Sequence, residues 1–340
     1  MIKFLLFTIF HYVINKIFIL NNFLLDQENT SPHKKKVLSS LKTPLSGGFI
    51  FIVSIIFLNL NLNNILLYSL FILYLIGVAS DINYISSARI RLFLQTACIL
   101  FCIILNDLSI NNLSIELLNQ LLDIKIFNII FLTICLLVLI NGFNFLDGIN
   151  TLVVGNFIIC MLSIYYISDS NKLILDFIII KNLLIIFSVI YIFNFFGKSF
   201  LGDSGTYSMS FLIGILYVNF AYDNYLVISP YFIACLLWYP AIENLFTITR
   251  RLFLSKEISK PDNLHFHHLL FNIIKNNISS KNNLFINTVT GVFINIYIAI
   301  PALIGTFYFN HTRSLLIIIG INTLIYLTIY YILYKKNKFN

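Results

Sequence analysis

Long apolar runs alternate with short polar segments along the whole chain. We place apolar spans at about 4–25, 45–60, 64–79, 90–106, 126–141, 152–168, 173–194, 206–220, 229–248, 286–308 and 314–334. Runs of about 16–22 residues are long enough to cross a bilayer as helices, whereas the strands of a membrane barrel show only short, weak alternation. The pattern therefore predicts an all-α, polytopic membrane bundle of about 10–11 transmembrane helices.

The composition agrees with one integral-membrane domain over residues 1–340. Hydrophobic residues make up 59% of the chain and charged residues 11%, whereas a soluble domain is roughly half apolar and a quarter charged. The first apolar segment lacks a small-residue cleavage site, so we expect a retained helix. All five cysteines lie within apolar spans and none forms a Cys-x-x-Cys pair, which predicts buried apolar residues rather than disulfides or a metal–thiolate site.

Lysine and arginine residues are concentrated in the segments that follow odd-numbered spans. These segments contain Lys34, Lys35, Lys36, Lys42, Arg89, Arg91, Lys198, Arg250, Arg251, Lys256, Lys260, Lys275, Lys281, Lys335, Lys336 and Lys338. Because cytoplasmic loops carry an excess of Lys and Arg, we expect this side to face the cytoplasm and the N-terminus to lie outside. The net charge of +8 then reflects topology and contact with anionic membrane lipid, and we expect no nucleic-acid partner.

The polar residues that are unusual beside apolar spans fall on the same predicted cytoplasmic side. They are Lys42, Asp81, Asn144, Asp147, Asn194, Asp203, Arg250, Arg251, His265, His267 and His268. Taken singly, each of these residues can also be explained by a purely structural role. Asp81 could cap the helix that begins near Ser86, and Asp147 with Gly148 could be an ordinary turn pair. The arginine pair could be only a topology signal.

Taken together, these residues indicate chemistry on phosphates. Asp203 and Asp147, with amide oxygens, provide the hard ligands that suit Mg²⁺ carried with substrate phosphates. Cationic side chains offset phosphate charge, and glycines allow close backbone approach. The set predicts phosphoryl transfer from a soluble cytosolic donor to a lipid-borne acceptor. The three histidines could instead bind zinc, but neither a cysteine nor a further histidine lies beside them in the sequence.

Four short motifs occur in a fixed order between about residues 26 and 268. They are Pro-x-x-Gly-Gly at Pro44 to Gly48, Asn-x-x-Asp-Gly at Asn144 to Gly148, Phe-x-Gly-Asp-x-Gly at Phe200 to Gly205, and His-x-His-His at His265 to His268. In these residues the chain resembles the polyprenyl-phosphate N-acetylhexosamine-1-phosphate transferases, which are integral-membrane enzymes. Their surface-polysaccharide branch is the one that the sequence resembles most.

This resemblance implies a helix bundle in the bacterial inner membrane, with an active-site cleft that opens to the cytoplasm. The implied reaction is transfer of a HexNAc-1-phosphate from a UDP-HexNAc to undecaprenyl phosphate, with release of UMP. It would initiate a cell-surface glycan such as O-antigen, capsule or lipopolysaccharide. The implied cofactor is Mg²⁺, with Mn²⁺ as an alternative.

The resemblance also assigns roles to individual residues. It implies that Asp203 binds the metal ion, that Asn144 is a further candidate ligand, and that Asp147 is the acid of the nucleotide site. Asp81 and Asp147 would join Asp203 as catalytic residues that position metal, water or nucleotide. The implied substrate-binding residues are Lys42, Asn194, Arg250, Arg251, His265, His267 and His268.

The chain departs from the family pattern at three places. Ser80 stands where the family has the first acid of an adjacent pair, and the second acid of the family's Asp-Gly-x-x-Gly run is changed, to Asn150-Thr151. The arginine expected before His33 is replaced by Ser or Pro, with one residue missing from this segment. A phosphate monoester is largely ionised at cytosolic pH, so we expect activity without an acid at position 80.

The sequence leaves two alternative functions open. A non-catalytic membrane paralogue is one alternative, mainly because of Ser80. A transporter is the other, but it would need ionisable residues at mid-membrane, and His11, Lys16 and Glu243 trace no pathway. The pattern identifies neither the donor sugar nor the oligomeric state.

Overall fold

The computed structural model consists almost entirely of α-helices. It describes residues 2–26, 43–254, 264–277 and 282–339. The helices in these ranges are α1 (Ile2–Leu20), α2 (Gly47–Phe57), α3 (Asn64–Asp81), α4 (Ala88–Leu105), α5 (Glu116–Leu122), α6 (Lys125–Leu146), α7 (Leu152–Asn171), α8 (Phe177–Phe195), α9 (Gly202–Asp223), α10 (Pro230–Leu236), α11 (Trp238–Phe253), α12 (Phe266–Asn277), α13 (Asn283–Phe307) and α14 (Thr312–Phe339). Two short antiparallel strands, β1 (Leu25–Asp26) and β2 (Thr43–Pro44), accompany them.

Membrane-spanning helices dominate the bundle, which confirms the predicted polytopic membrane fold. In the described part of the chain, 8 helices are long and apolar enough to cross a membrane, namely α1, α3, α4, α6, α7, α8, α13 and α14. The pair α10 and α11 would make a ninth span. The remaining predicted spans, 45–60 and 206–220, form α2 and α9, which are not among these helices.

The predicted span at 229–248 is broken rather than continuous. α10 and α11 meet at an angle of 73° around Leu237. Pro240 explains the break, because a proline has no N–H to donate to the carbonyl four residues earlier and its ring crowds that carbonyl. The freed carbonyl of Leu236 instead accepts a hydrogen bond from Sγ of Cys160 at 3.4 Å.

α9 is a buried central helix, although its sequence is rich in small polar residues. Every side chain from residue 204 to residue 215 is buried. Hydroxyl groups in this stretch donate to carbonyls one turn earlier, as Ser208 Oγ does to the carbonyl of Ser204 at 2.7 Å. Small residues let neighbouring helices approach closely. α9 therefore contacts protein on most sides and does not need the apolar surface of a lipid-facing span.

Two helices enclose the first turn of α9. A methyl group at Gly77 of α3 would lie 2.7 Å from the carbonyl carbon of Asp203 and closer still to the backbone of Ser204. A methyl group at Gly48 of α2 would lie 2.6 Å from the backbone nitrogen of Gly205. Only glycine permits such backbone-to-backbone approach, so both contacts fix the position of this helix end.

Backbone hydrogen bonds also join the segment after β2 to the segment before α9. The N–H of Phe200 donates to the carbonyl of Pro44, and the N–H of Gly47 donates to the carbonyl of Phe200, both at 3.0 Å. The Pro-x-x-Gly-Gly motif therefore lies beside the Phe-x-Gly-Asp-x-Gly motif. Two segments about 150 residues apart in sequence meet at one end of the bundle.

Candidate functional site

Asp81, the last residue of α3, caps the N-terminus of α9. Its Oδ1 accepts from the N–H of Asp203 at 2.8 Å, and its Oδ2 accepts from the N–H of Ser204 at 3.1 Å. The first N–H groups of a helix have no intrahelical partner, and negative charge is favourable there. Gly202 has a φ of +68°, and a methyl group on it would lie 2.7 Å from Oδ2 of Asp81. Asp81 is thus a helix cap, but for α9 rather than for the helix near Ser86.

Three donors converge on one oxygen of Asp203. Its Oδ2 accepts from Ser80 Oγ at 2.5 Å, from Arg91 Nη1 at 3.0 Å and from Tyr207 Oη at 3.0 Å. Its Oδ1 accepts no hydrogen bond from any described residue, and 23% of the side chain is exposed. The carboxylate is therefore held in one orientation, with its second oxygen available to a ligand.

Arg91 is a site residue that the sequence analysis assigned only to topology. Its guanidinium pairs with Asp203 and also donates to Ser80 Oγ at 2.6 Å. A signal was present, because Arg91 lies inside the predicted span 90–106, and a cation within an apolar span usually has a specific partner. Tyr207 carried no such signal, because tyrosines are abundant in this chain.

Two oxygen-bearing side chains of the kind that Mg²⁺ binds lie at this end of α9. Oδ1 of Asn144 accepts from Thr206 Oγ1 at 3.2 Å, and the same hydroxyl lies 3.2 Å from the carbonyl oxygen of Asp203. A carboxylate oxygen and an amide oxygen thus reach the same helix end. Within the described ranges, no three His, Cys, Asp or Glu side chains are grouped to hold a metal. Mg²⁺ suits such a sparse set, because water and substrate phosphates complete its coordination.

The end of α6 connects this carboxylate to the histidines. Asn144 lies in the last turn of α6, and Asp147 follows the helix three positions later as its C-cap. A methyl group at the next residue, Gly148, would lie 3.1 Å from Cε1 of His268 and 3.6 Å from Nε2 of His267. The structure therefore brings the Asn-x-x-Asp-Gly and His-x-His-His motifs into contact.

Amide side chains from other helices hold the turn between α6 and α7. The N–H of Asn150 donates to Oδ1 of Asn287 at 2.6 Å, and Nδ2 of Asn295 donates to the carbonyl of Thr151 at 2.9 Å. Thr151 is fully buried with a φ of +68°, which is unfavourable for a β-branched residue. Its N–H donates to Oδ1 of Asn194. These bonds maintain a strained turn directly after Asp147.

Asn194 uses both ends of its amide to position loops. Oδ1 accepts from the N–H of Thr151, and Nδ2 donates to the carbonyl of Ser199 at 3.0 Å. The side chain is buried. It therefore ties the turn after α6 to the segment before α9, while its predicted contact with substrate stays a prediction.

We expect Asn194→Asp to destabilise the protein by about 1–3 kcal/mol, because a buried oxygen would replace the donor that faces the Ser199 carbonyl. The measurement is thermal unfolding of the purified full chain in detergent micelles. Asn182→Asp is a matched control in the same helix, because Oδ1 of Asn182 accepts from Nζ of Lys3 at 3.1 Å and an aspartate there gains an ion pair. Equal losses of melting temperature in the two variants would contradict the positioning role.

The histidine rings of the His-x-His-His motif pack on one another. The centroids of His265 and His267 lie 5.4 Å apart, and those of His267 and His268 lie 4.3 Å apart. Neither ring nitrogen of the buried His267 has a hydrogen-bond partner in the part of the chain that the structure describes. Burial lowers the pKa of His267 well below its ordinary value of 6.5, and the imidazoles of His268 and His265 add to this effect.

His267 is therefore neutral at physiological pH. At lower pH, the unfolded chain binds a proton on this imidazole that the folded chain does not bind. The folding stability that depends on this residue consequently decreases as pH falls below the unfolded pKa.

Three predicted substrate-binding residues remain, and all three are cationic. Arg250 and Arg251 lie in the last turn of α11, and Arg251 is buried. Lys42 lies outside the described residues. Contacts of these three cationic side chains with substrate stay predictions.

Comparison with known proteins supports the resemblance that the motifs predict. The model of glycosyl transferase family 4 matches residues 63–221, which include α3 to α8 and most of α9. The chain is also similar to the probable undecaprenyl-phosphate N-acetylglucosaminyl 1-phosphate transferase of Bacillus subtilis (strain 168). The two are 26% identical over 203 residues, which cover 59% of this chain and 56% of the relative. The matched region thus spans little more than half of that relative.

Proposed function

We propose that the protein, whose residues 63–221 match the model of glycosyl transferase family 4, transfers a HexNAc-1-phosphate from a UDP-sugar to undecaprenyl phosphate and releases UMP. The observation that supports the proposal is the end of α6, which contacts the first turns of α9 through Asn144 and the histidine segment through Gly148, next to Asp147. One metal-compatible carboxylate, one acid next to a tight turn and a cluster of imidazoles suit a nucleotide diphosphate. The name of the similar Bacillus subtilis protein supports undecaprenyl phosphate as the acceptor.

The proposed reaction is an in-line displacement at the β-phosphorus of the UDP-sugar. An oxygen of the lipid phosphate forms the new bond to phosphorus, and the bond to the bridging oxygen breaks, so UMP leaves with both bonding electrons. Asp203 and Asn144 would hold Mg²⁺, or Mn²⁺ as an alternative, which supplies charge neutralisation at the diphosphate. Arg91 and Tyr207 keep the Asp203 carboxylate oriented through Oδ2. Asp81 keeps Asp203 in place through the N-terminus of α9.

The other predicted residues supply binding rather than bond-making. Asp147 and Gly148 would contact the nucleotide, because they lie where α6 meets the histidine segment. His265 and His268 would donate to phosphate oxygens. Arg250, Arg251 and Lys42 would add positive charge. No proton acceptor is required, because the second pKa of a phosphate monoester is about 6.

Ser80→Asp is expected to change the rate of UMP release by less than about tenfold. General-base catalysis typically contributes about 10²–10⁴-fold, so a missing base at this position would make a much larger gain visible. Ser80 already has a positional role, because its hydroxyl donates to Asp203 and accepts from Arg91. Ser80→Asn, which has a similar size and no charge, is the control. A gain of about a hundredfold in the aspartate variant alone would show that the base matters.

The proposal is tested by incubating the purified full chain with undecaprenyl phosphate and, in turn, UDP-GlcNAc, UDP-GalNAc, UDP-QuiNAc and UDP-FucNAc. Mass spectrometry of the lipid fraction should show one dominant lipid diphosphate sugar, which identifies the donor. Formation of none of these lipids would contradict the proposed function and favour a non-catalytic paralogue.

We also propose that the site faces the cytoplasm of a bacterial inner membrane, where the product would initiate a surface glycan. The concentration of Lys and Arg in the loops beside the site supports this orientation. UDP-sugars do not cross bilayers, so inverted membrane vesicles should form product and sealed right-side-out vesicles should not. The opposite result would reverse the orientation without affecting the reaction.

A further inference from the structure

A buried carboxylate holds the start of the histidine segment. Glu243 lies in α11 and is fully buried. Its Oε1 accepts from Nδ1 of His265 at 3.0 Å and from the N–H of Phe266 at 3.1 Å. The second of these bonds satisfies the first backbone N–H of α12, which would otherwise lack a partner. One oxygen therefore fixes both an imidazole and the helix that follows it.

The other oxygen of Glu243 is held by the C-terminal helix. Its Oε2 accepts from the hydroxyl of Tyr326 in α14 at 2.7 Å. The Tyr326 ring is fully buried and packs on the rings of Trp238 and Phe266. Within the described part of the chain, His265 is the basic group that contacts Glu243. The carboxylate is therefore held in one position by His265, Phe266 and Tyr326.

The bond to Glu243 occupies one ring nitrogen of His265, so the other ring nitrogen is the one that can bind a ligand. Nδ1 is directed at Glu243, with Thr247 Oγ1 also 3.3 Å away. A carboxylate that accepts from one imidazole nitrogen fixes the ring orientation, and in the imidazolium form the other nitrogen also carries a proton that a phosphate oxygen can accept. Nε2 of His265 forms no hydrogen bond with any residue of the described ranges. The ring lies 5.2 Å from that of Phe145, near the end of α6 that carries Asp147.

We propose that Glu243, supported by Tyr326, is a positioning residue that directs Nε2 of His265 towards the phosphates of the sugar nucleotide. The inference rests on the proposed function and extends it to α11, α12 and α14, all of which lie outside residues 63–221. Glu243 contacts neither substrate nor metal in this account. Its effect on nucleotide binding passes through His265, because a glutamine oxygen at the same place can still accept from the N–H of Phe266.

The test is a double-mutant cycle that measures nucleotide binding. Binding of UDP and of UDP-GlcNAc to the full chain in detergent micelles is measured by calorimetry for wild type, Glu243→Gln, His265→Ala and the double variant. Glutamine keeps the shape and can still accept from Nδ1, but it removes the charge. We expect each single variant to weaken binding by about tenfold or more, since hydrogen bonds to charged groups contribute most. The double variant should bind no more weakly than His265→Ala alone.

Two further variants make the outcome decisive. Tyr326→Phe removes only the hydroxyl and should weaken binding in the same direction by a smaller factor, again only when His265 is present. Glu116→Gln, at an exposed acid of α5, is the control and should leave binding unchanged. If the losses from Glu243→Gln and His265→Ala multiply in the double variant, Glu243 acts independently of His265 and the proposal is wrong.

The binding cycle also separates this inference from the proposed reaction. Coupled losses of UDP binding without any lipid product would leave the positioning role intact and overturn the transfer reaction. Product formation together with losses of UDP binding that multiply in the double variant would support the transfer reaction and overturn the positioning role of Glu243. Wild-type protein that binds neither UDP nor UDP-GlcNAc would contradict both.

Discussion

Asp203→Asn should reduce UMP release by about a thousandfold, with little change in the folded structure. The substitution removes the charge that a divalent cation needs, and losing one such electrostatic group typically costs about 10²–10³-fold or more. It also creates a conflict at Oδ2. An amide nitrogen there would face the donors of Ser80, Arg91 and Tyr207, so the amide oxygen must occupy that place. The nitrogen would then point to where Oδ1 was, and a nitrogen with two hydrogens cannot bind a cation.

The matched control for this variant is Asp223→Asn. Asp223 is an exposed residue at the opposite end of the same helix. We expect wild-type activity from it, measured as UMP release under the same conditions. The melting temperature of wild type should also rise with added Mg²⁺, while that of Asp203→Asn should not. Activity of Asp203→Asn within tenfold of wild type would show that the metal assignment is wrong.

Gly77→Ala is expected to lower activity by about a hundredfold, although Gly77 would contact no substrate. Its added methyl group would lie 2.7 Å from the carbonyl carbon of Asp203 and closer to Ser204. These are backbone atoms, so no side-chain rotation relieves the overlap, and α3 must move away from α9. Overpacking of this kind costs about 1–3 kcal/mol. A displacement of about 1 Å at a catalytic group can cost about 10²-fold in rate.

Gly320→Ala is the control for the glycine substitution. Gly320 lies in α14, and an added methyl group there meets no atom within 4 Å. Alanine is about 1 kcal/mol more favourable than glycine inside a helix, so this variant should be as stable as wild type or slightly more stable. Full activity of Gly77→Ala would mean that the α3–α9 contact does not position Asp203.

The helices could be predicted from the sequence, because long apolar runs have few structural alternatives. The break around Leu237 is a different case. A proline inside a span, such as Pro240, indicates a local disturbance of the helix. It does not give the angle, and the freed carbonyl of Leu236 finds its partner in Cys160 of α7. The burial of α9 also cannot be predicted from its own sequence alone. Its serines and glycines are explained only by the helices packed around them.

The motifs predicted which segments meet, but not how individual residues are connected. Nothing local to Tyr326 indicates a bond to Glu243, because the two are 83 positions apart. The substrate contact of Asn194 stays a prediction, whereas the bonds of its amide to backbone groups of Thr151 and Ser199 had no signal in the motifs. Such partners are set by tertiary packing, which a residue pattern along one chain does not encode. Arg91 lies between these cases. The sequence shows that it lies within an apolar span, but it does not show which residue is its partner.

The most direct test of the proposed reaction uses a UDP-sugar with radioactive phosphorus only at the β-position. The purified full chain is incubated with this donor, undecaprenyl phosphate and Mg²⁺, and the lipid and aqueous fractions are separated. Attack at the β-phosphorus predicts that the label moves to the lipid fraction with the sugar and that the released UMP is unlabelled. Label that remains in the aqueous fraction as UDP, while the sugar alone reaches the lipid, would contradict the account.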